Sequence, residues 1–160
     1  MFFVDGSVYS YGIPFELPMV QAIGWLDRDH EYSHGDVRVE FVAKLWKIIE
    51  TRTRSFDLHA NVIRGIHPCD FCGESIFRER RDGCRTMLGM SELWVPYGSG
   101  WLAAPTLIIH YVELHSYLPP NNFIEAVMNV DTNDTINAQV AFESLCAPLM
   151  EQLYPPKSSK

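Results

Sequence analysis

Residues 93–116, LWVPYGSGWLAAPTLIIHYVELHS, decide the fold class of this chain. Two short apolar runs, Leu93-Trp94-Val95 and Trp101-Leu102-Ala103, flank the turn-prone Tyr97-Gly98-Ser99-Gly100, and this pattern predicts a β-hairpin. Beyond it, Pro105 suits the first turn of a helix, where its missing N–H has no partner in any case. Leu107, Ile108, Tyr111, Val112 and Leu114 then predict a helix running to about Ser116 and carrying His110 and His115. A hairpin passing directly into a helix makes the chain α+β.

Working outward, three further helices are expected. Asp36 is a plausible N-cap, and Val39, Val42, Leu45, Trp46 and Ile49 recur at three- and four-residue intervals, which is the period of an amphipathic helix. Pro119-Pro120 closes one connection and opens a helix with Phe123, Ile124, Val127 and Met128 as its apolar stripe. A last helix is expected after Asn133 or Asp134, carrying Ile136, Val140, Leu145 and Leu149, with Pro148 bending or ending it. Pro18–Asp27 reads as a buried strand, and Leu58–Ile66 as a short strand leading to His67-Pro68, where proline turns the chain away from helix. The expectation is a single α+β domain over residues 1–154, with a small sheet or hairpin packed on about four helices and a disordered tail at 155–160.

Upstream of the hairpin stands Cys69-Asp70-Phe71-Cys72. Two thiols there and two imidazoles at His110 and His115 match the donor set of one tetrahedral Zn2+, in a zinc-knuckle-like element that ties a sheet edge to a helix. The two histidines are five apart, about 140° around an ideal helix, so they share an ion only if the helix end tightens or frays. His67 is a competing ligand, and Cys84 a weaker one. A redox use of the Cys pair would need a helix starting at the first thiol in a βαβ setting, whereas Gly73 follows directly and no such alternation exists.

Composition excludes several roles. The net charge of −7 over 160 residues argues against a nucleic-acid binder, and Cys72 to His110 is far longer than the gap of about twelve residues in a DNA-binding finger. Residues 51–90 are locally basic, with seven arginines against five carboxylates, but Arg78-Glu79-Arg80-Arg81-Asp82 mixes both signs and reads as a solvated loop. The first residues carry no basic leader, and the most apolar stretch, Trp101 to Val112, is too short to span a bilayer, so no membrane partner and a cytoplasmic location are expected.

Gly24-Trp25-Leu26, the run from Gly65 to Cys72, the run from Ala104 to Tyr117 and Pro119-Pro120 together resemble a group of small bacterial proteins of unknown function. These join a Gly-Trp-Leu segment, a His-x-Cys-x-x-Cys element and a Pro-x-Leu-Ile-x-His-Tyr helix followed by a Tyr-x-Pro-Pro turn. The resemblance spans about residues 20 to 130 and implies a compact domain with paired Cys and His positions, of a kind found near toxin and immunity genes. It implies no catalytic mechanism.

Two function classes follow. One is a zinc-stabilised, non-catalytic, immunity-like domain that presents an acidic surface to an unidentified protein partner, whose capture the charge would steer. The other is a metal-dependent hydrolase with Glu113 as general base. The spacing His110-Tyr111-Val112-Glu113-Leu114-His115 departs from the His-Glu-x-x-His pattern of metalloprotease helices, which favours the first class.

Overall fold

The structure, a computed structural model, describes residues 2–79, 83 and 85–155. In chain order its elements are β1 (Ser7–Tyr9), β2 (Leu17–Ala22), α1 (Val39–Glu50), β3 (Phe56–Asp57), β4 (His59–Ala60), β5 (Phe77–Glu79), β6 (Arg85–Met87), β7 (Glu92–Tyr97), β8 (Gly100–Pro105), α2 (Ile108–Leu114), α3 (Asn121–Asn129), β9 (Ile136–Asn137) and α4 (Ala138–Leu153). Five strands form one sheet in the order β1-β2-β8-β7-β4, and β3 with β9 and β5 with β6 form two-stranded ladders. This is the α+β domain with four helices that the hairpin-to-helix stretch led us to expect.

The hairpin is the centre of the sheet. β7 and β8 pair antiparallel from Glu92↔Pro105 to Tyr97↔Gly100, and β2 lies parallel to β8 with Val20 opposite Trp101. Strand side chains alternate between faces, and both faces are covered. Leu93, Val95, Leu102 and Ala104 join a core with Phe41, Leu45, Ile108, Ile109, Phe123 and Val127, so α1, α2 and α3 cover one side. Trp94 and Ala103 point the other way, into a core with Tyr9, Val20, Trp25, Ala138 and Cys146, where α4 closes the layer. Burial on both faces explains why the hairpin strands read as apolar runs and not as an alternating pattern.

Several boundaries differ from the sequence reading. Pro105 ends β8 opposite Glu92, and α2 starts three residues later, because the proline sits at a strand terminus where no ladder N–H is needed. Arg38, not Asp36, occupies the N-cap of α1, without a side-chain cap bond. The expected strand 18–27 is β2, and it stops at Ala22; Gly24, at φ +68°, turns the chain there. Ile136 lies in β9, paired with Phe56, and α4 opens after Asn137, whose side chain accepts a hydrogen bond from the Val140 N–H. Pro148 is inside α4, which runs on to Leu153. The charged run, read as a loop, contributes Arg78 and Glu79 to β5; its remaining residues, Cys84 and the tail from 156 onward lie outside the described residues. No helix among the described residues is long and apolar enough to cross a membrane.

Candidate metal centre

Sixteen residues without a strand or helix, 61–76, separate β4 from β5, and the Cys pair sits among them. The chain makes a tight reversal at the pair: the Gly73 N–H donates to the Cys69 carbonyl at 2.7 Å, and the Cys69 N–H donates to the Glu74 carbonyl at 2.9 Å. Gly73 holds φ +74°, a left-handed value that glycine adopts without a Cβ penalty. In this turn the backbone N–H groups of Cys72 and Phe71 point at the Cys69 sulfur. Burial and the neighbouring Cys72 thiol push the Cys69 thiol above its ordinary value, and those two N–H groups offset the rise only in part, so the turn supplies donors to a thiolate.

The partners come from α2 and its C-terminal cap. His110 is buried in the first turn of α2, which ends at Leu114. His115 caps it at φ −116° and ψ 13°, and Ser116 turns left-handed at φ 51°. Leaving the helix at this point removes the 140° obstacle of an ideal five-residue spacing. The cap is anchored from outside: the Tyr32 hydroxyl donates to the His115 carbonyl at 3.0 Å, the Gly35 N–H to the Ser116 carbonyl at 3.0 Å and the Leu118 N–H to the Ser33 carbonyl at 2.8 Å.

These elements bring Cys69, Cys72, His110 and His115 together, with all four donor atoms within 4.8 Å of one another. Cys69 Sγ lies 3.3 Å from His115 Nε2, Cys72 Sγ 3.6 Å from His110 Nε2, and the two Nε2 atoms 3.1 Å apart. A tetrahedral ion with metal–sulfur bonds of about 2.3 Å and metal–nitrogen bonds of about 2.0–2.1 Å has edges of about 3.6 Å between sulfur and nitrogen and about 3.3 Å between nitrogens. The cluster therefore could hold a metal ion with little movement. Burial lowers the pKa of both imidazoles, and His110 is lowered further by its neighbour His115, which keeps ring nitrogens unprotonated and able to ligate at neutral pH.

The cluster has one dry side and one wet one. Cys69 is fully buried and Cys72 exposed. The Phe71 ring, between the thiols, packs edge-on against Tyr111 at 5.7 Å and tilts over the His115 ring at 4.9 Å. Arg28 fastens the turn from below, its guanidinium donating to the Asp70 carbonyl at 2.6 Å.

His67 is outside the cluster: its Nε2 is 3.4 Å from the Tyr11 hydroxyl, across the turn from the thiols. Glu113 is outside as well. Its carboxylate accepts a hydrogen bond from Trp46 Nε1 at 3.0 Å, on the side of α2 that faces α1, so it is poorly placed to act on anything bound at the sulfurs. Sequence reasoning missed Glu92, which is 2% exposed and accepts from the Tyr9 hydroxyl at 2.8 and 2.9 Å, from Trp94 Nε1 at 2.8 Å and from Asn61 Nδ2 at 3.0 Å. The available signal was its parity with Trp94 on a strand buried on both faces.

A family model described as "Domain of unknown function (DUF7919)" matches residues 1–128. The chain belongs to this family. The match covers the whole five-stranded sheet and the metal-centre residues of the DUF7919 domain and stops at the end of α3, so α4 lies beyond it. No curated protein and no solved structure matches the chain.

The segments quoted above for a family resemblance meet around this centre in the DUF7919 domain. Asp5 accepts from the Gly24 N–H at 2.7 Å and from the Tyr117 hydroxyl at 2.8 Å, joining the Gly-Trp-Leu segment to the residue just past the histidine cap. A Cβ on Gly24 would stand 2.8 Å from Ile108 Cδ1, so this glycine lets α2 approach the strand.

Proposed function

We propose that this bacterial DUF7919 chain is a zinc-stabilised, non-catalytic protein-interaction domain of the immunity-like kind. The observation that carries the metal half is the four-donor cluster, two thiols and two imidazoles at tetrahedral separations, contributed by a stretch without strands or helices and by a helix end. Two sulfurs and two nitrogens favour zinc among divalent ions, and four protein donors leave no place for a reactive water. The ion would staple residues 61–76 onto α2 much as a disulfide would.

The interaction half is supported by the acidic balance of −7 and by the outer face of α4. There Val140 and Met150 are exposed beside Glu143 and Glu151, a mixed apolar and acidic surface suited to a basic protein partner.

Cobalt substitution tests the closed site against the hydrolase reading. Co2+ bound to the apo protein should give the strong visible bands of tetrahedral thiolate coordination, unchanged by added azide or cyanide and by Glu113→Gln. A spectrum that shifts with the anion shows an open coordination position and overturns the structural reading. Association with the product of a neighbouring gene, slowed by added salt, supports the partner role; salt-independent association, or none, counts against the acidic surface.

A further inference from the structure

A cavity of about 350 Å³ lies at the end of the sheet where β7 begins and β8 ends. Glu92 lies on its wall, with Asn61, Tyr11 and His67 nearby and Trp25, Leu26, Ile63, Leu107 and Tyr111 providing apolar surface. The volume falls in the lower part of the range of small-molecule sites, and a few polar groups converging in an apolar pocket is their usual composition.

Charge narrows the ligand. Every partner of the Glu92 carboxylate is a donor or a hydroxyl, namely Tyr9, Trp94 Nε1 and Asn61 Nδ2, which favours the ionised form, but burial outweighs them and pushes the carboxyl above its ordinary value. The three donors make four contacts, two at each oxygen, with the single Tyr9 proton shared between both. No Lys or Arg is among the residues lining the cavity, and its second carboxylate, Asp70, is partly neutralised by Arg28 at 3.7 Å on the outside. A buried carboxylate held only by neutral dipoles lacks the countercharge that would offset its desolvation. Tyr111 offers one more polar atom: the residue is 4% exposed, and its hydroxyl hydrogen-bonds to nothing among the described residues.

We propose that this cavity binds a small organic cation, a protonated amine on a short apolar or aromatic body, with the ammonium toward Glu92 and the body against Trp25 and Leu107. The ammonium supplies the missing countercharge. Asn61, Ile63 and His67 belong to the 61–76 segment that the metal would hold, so the titrations use metal-loaded protein.

The test uses three probes with one body and different heads: tyramine, the alcohol 2-(4-hydroxyphenyl)ethanol and 4-hydroxyphenylacetate, titrated calorimetrically into the full chain. Tyramine should bind, the alcohol at least ten-fold more weakly, and the acid not measurably. Glu92→Gln should remove the preference for amine over alcohol; the Asn61 amide can flip to present an acceptor to the new NH2, and circular dichroism checks the fold. Should that variant not fold, Ile63→Trp narrows the mouth without touching Glu92 and should weaken tyramine at least ten-fold. The assignment fails if tyramine does not bind at 10 mM, if the alcohol or acid binds as well, or if Ile63→Trp binds tyramine unchanged. Tighter binding of Nα-acetyl-lysine amide than of tyramine would likewise overturn it, in favour of a side chain presented by a partner.

Discussion

Stripping the metal should loosen one defined part of the molecule and leave the rest. Between Ala60 and Phe77 the chain is held by few backbone bonds to the remainder, chiefly Ile63 N–H to the Met90 carbonyl at 2.8 Å and His67 N–H to the Gly89 carbonyl at 2.9 Å. The five-stranded sheet does not pass through this segment, which gives the core only Cys69, with Phe71 and Ile76 packed against it, so the apo protein should keep its secondary structure. Ligation by a metal present at a thousand times its dissociation constant adds about 4 kcal/mol. For a chain of this size each kcal/mol moves the melting temperature by about 2–4 °C, so chelation should lower it by about 8–16 °C. Hydrogen exchange should locate the effect: amides of residues 61–76 and of 110–117 should lose protection on chelation, while those of β7 and β8 keep it. A melting temperature that moves less than about 2 °C when loaded protein is stripped, or new exchange spread evenly over the hairpin, would refute the stapling argument.

Gly89→Ala should cost about 2–4 kcal/mol in urea unfolding, because the new Cβ would stand 2.2 Å from the His67 carbonyl oxygen and the residue sits at φ +76°; a loss below 0.5 kcal/mol would show that the loop shifts freely. Phe123→Ala, which empties a fully buried site beneath the sheet, should cost about 3–5 kcal/mol by the same measurement. Burial pushes the Asp57 carboxyl up, but hydrogen bonds from the His59 side chain and N–H and from Arg52 outweigh it and hold it at about 2, below the ordinary 3.8. A pKa depressed in the folded state gives stability that is present above pH 4 and lost as pH falls from about 4 toward 2. Since Arg52 is half exposed, the contribution is about 1–2 kcal/mol, and Asp57→Asn should flatten that part of the stability–pH curve. An unchanged curve would mean that these bonds do not bias the carboxyl.

What could be read from the sequence followed short-range physics. Helices α1 and α3 declare themselves by apolar residues at three- and four-residue intervals, and the β7–β8 hairpin by the Gly98-Ser99-Gly100 turn between apolar runs. Elements that depend on distant partners were illegible. β2 reads as a strand, but its parallel pairing with β8, some eighty residues away, has no local signal; β1 does not read as one, and its antiparallel pairing with β2 is irregular, with a register shift between Val8 and Tyr9. β3 and β9 are two residues each and exist only as a ladder between separated segments. Pro105 misled because a proline with no ladder N–H to make fits a strand end as readily as a helix start. Residue chemistry made the candidate ligands legible, since thiols and imidazoles at paired spacings have few other shared uses. The cap that lets His115 turn toward His110 depends on Tyr32, Gly35 and Leu118, and no local pattern announces those contacts. Glu92 was opaque for a related reason: one carboxylate beside a hairpin looks solvated until Tyr9, Asn61 and Trp94 are seen to surround it.

X-ray absorption at the zinc edge, on protein whose metal content has been counted, tests the central claim most directly. One zinc per chain with two sulfurs at about 2.3 Å and two nitrogens at about 2.0–2.1 Å, and loss of one sulfur or of the metal in Cys69→Ser, is the result expected. Zinc well below one equivalent, or a shell of oxygens with no sulfur, would contradict it.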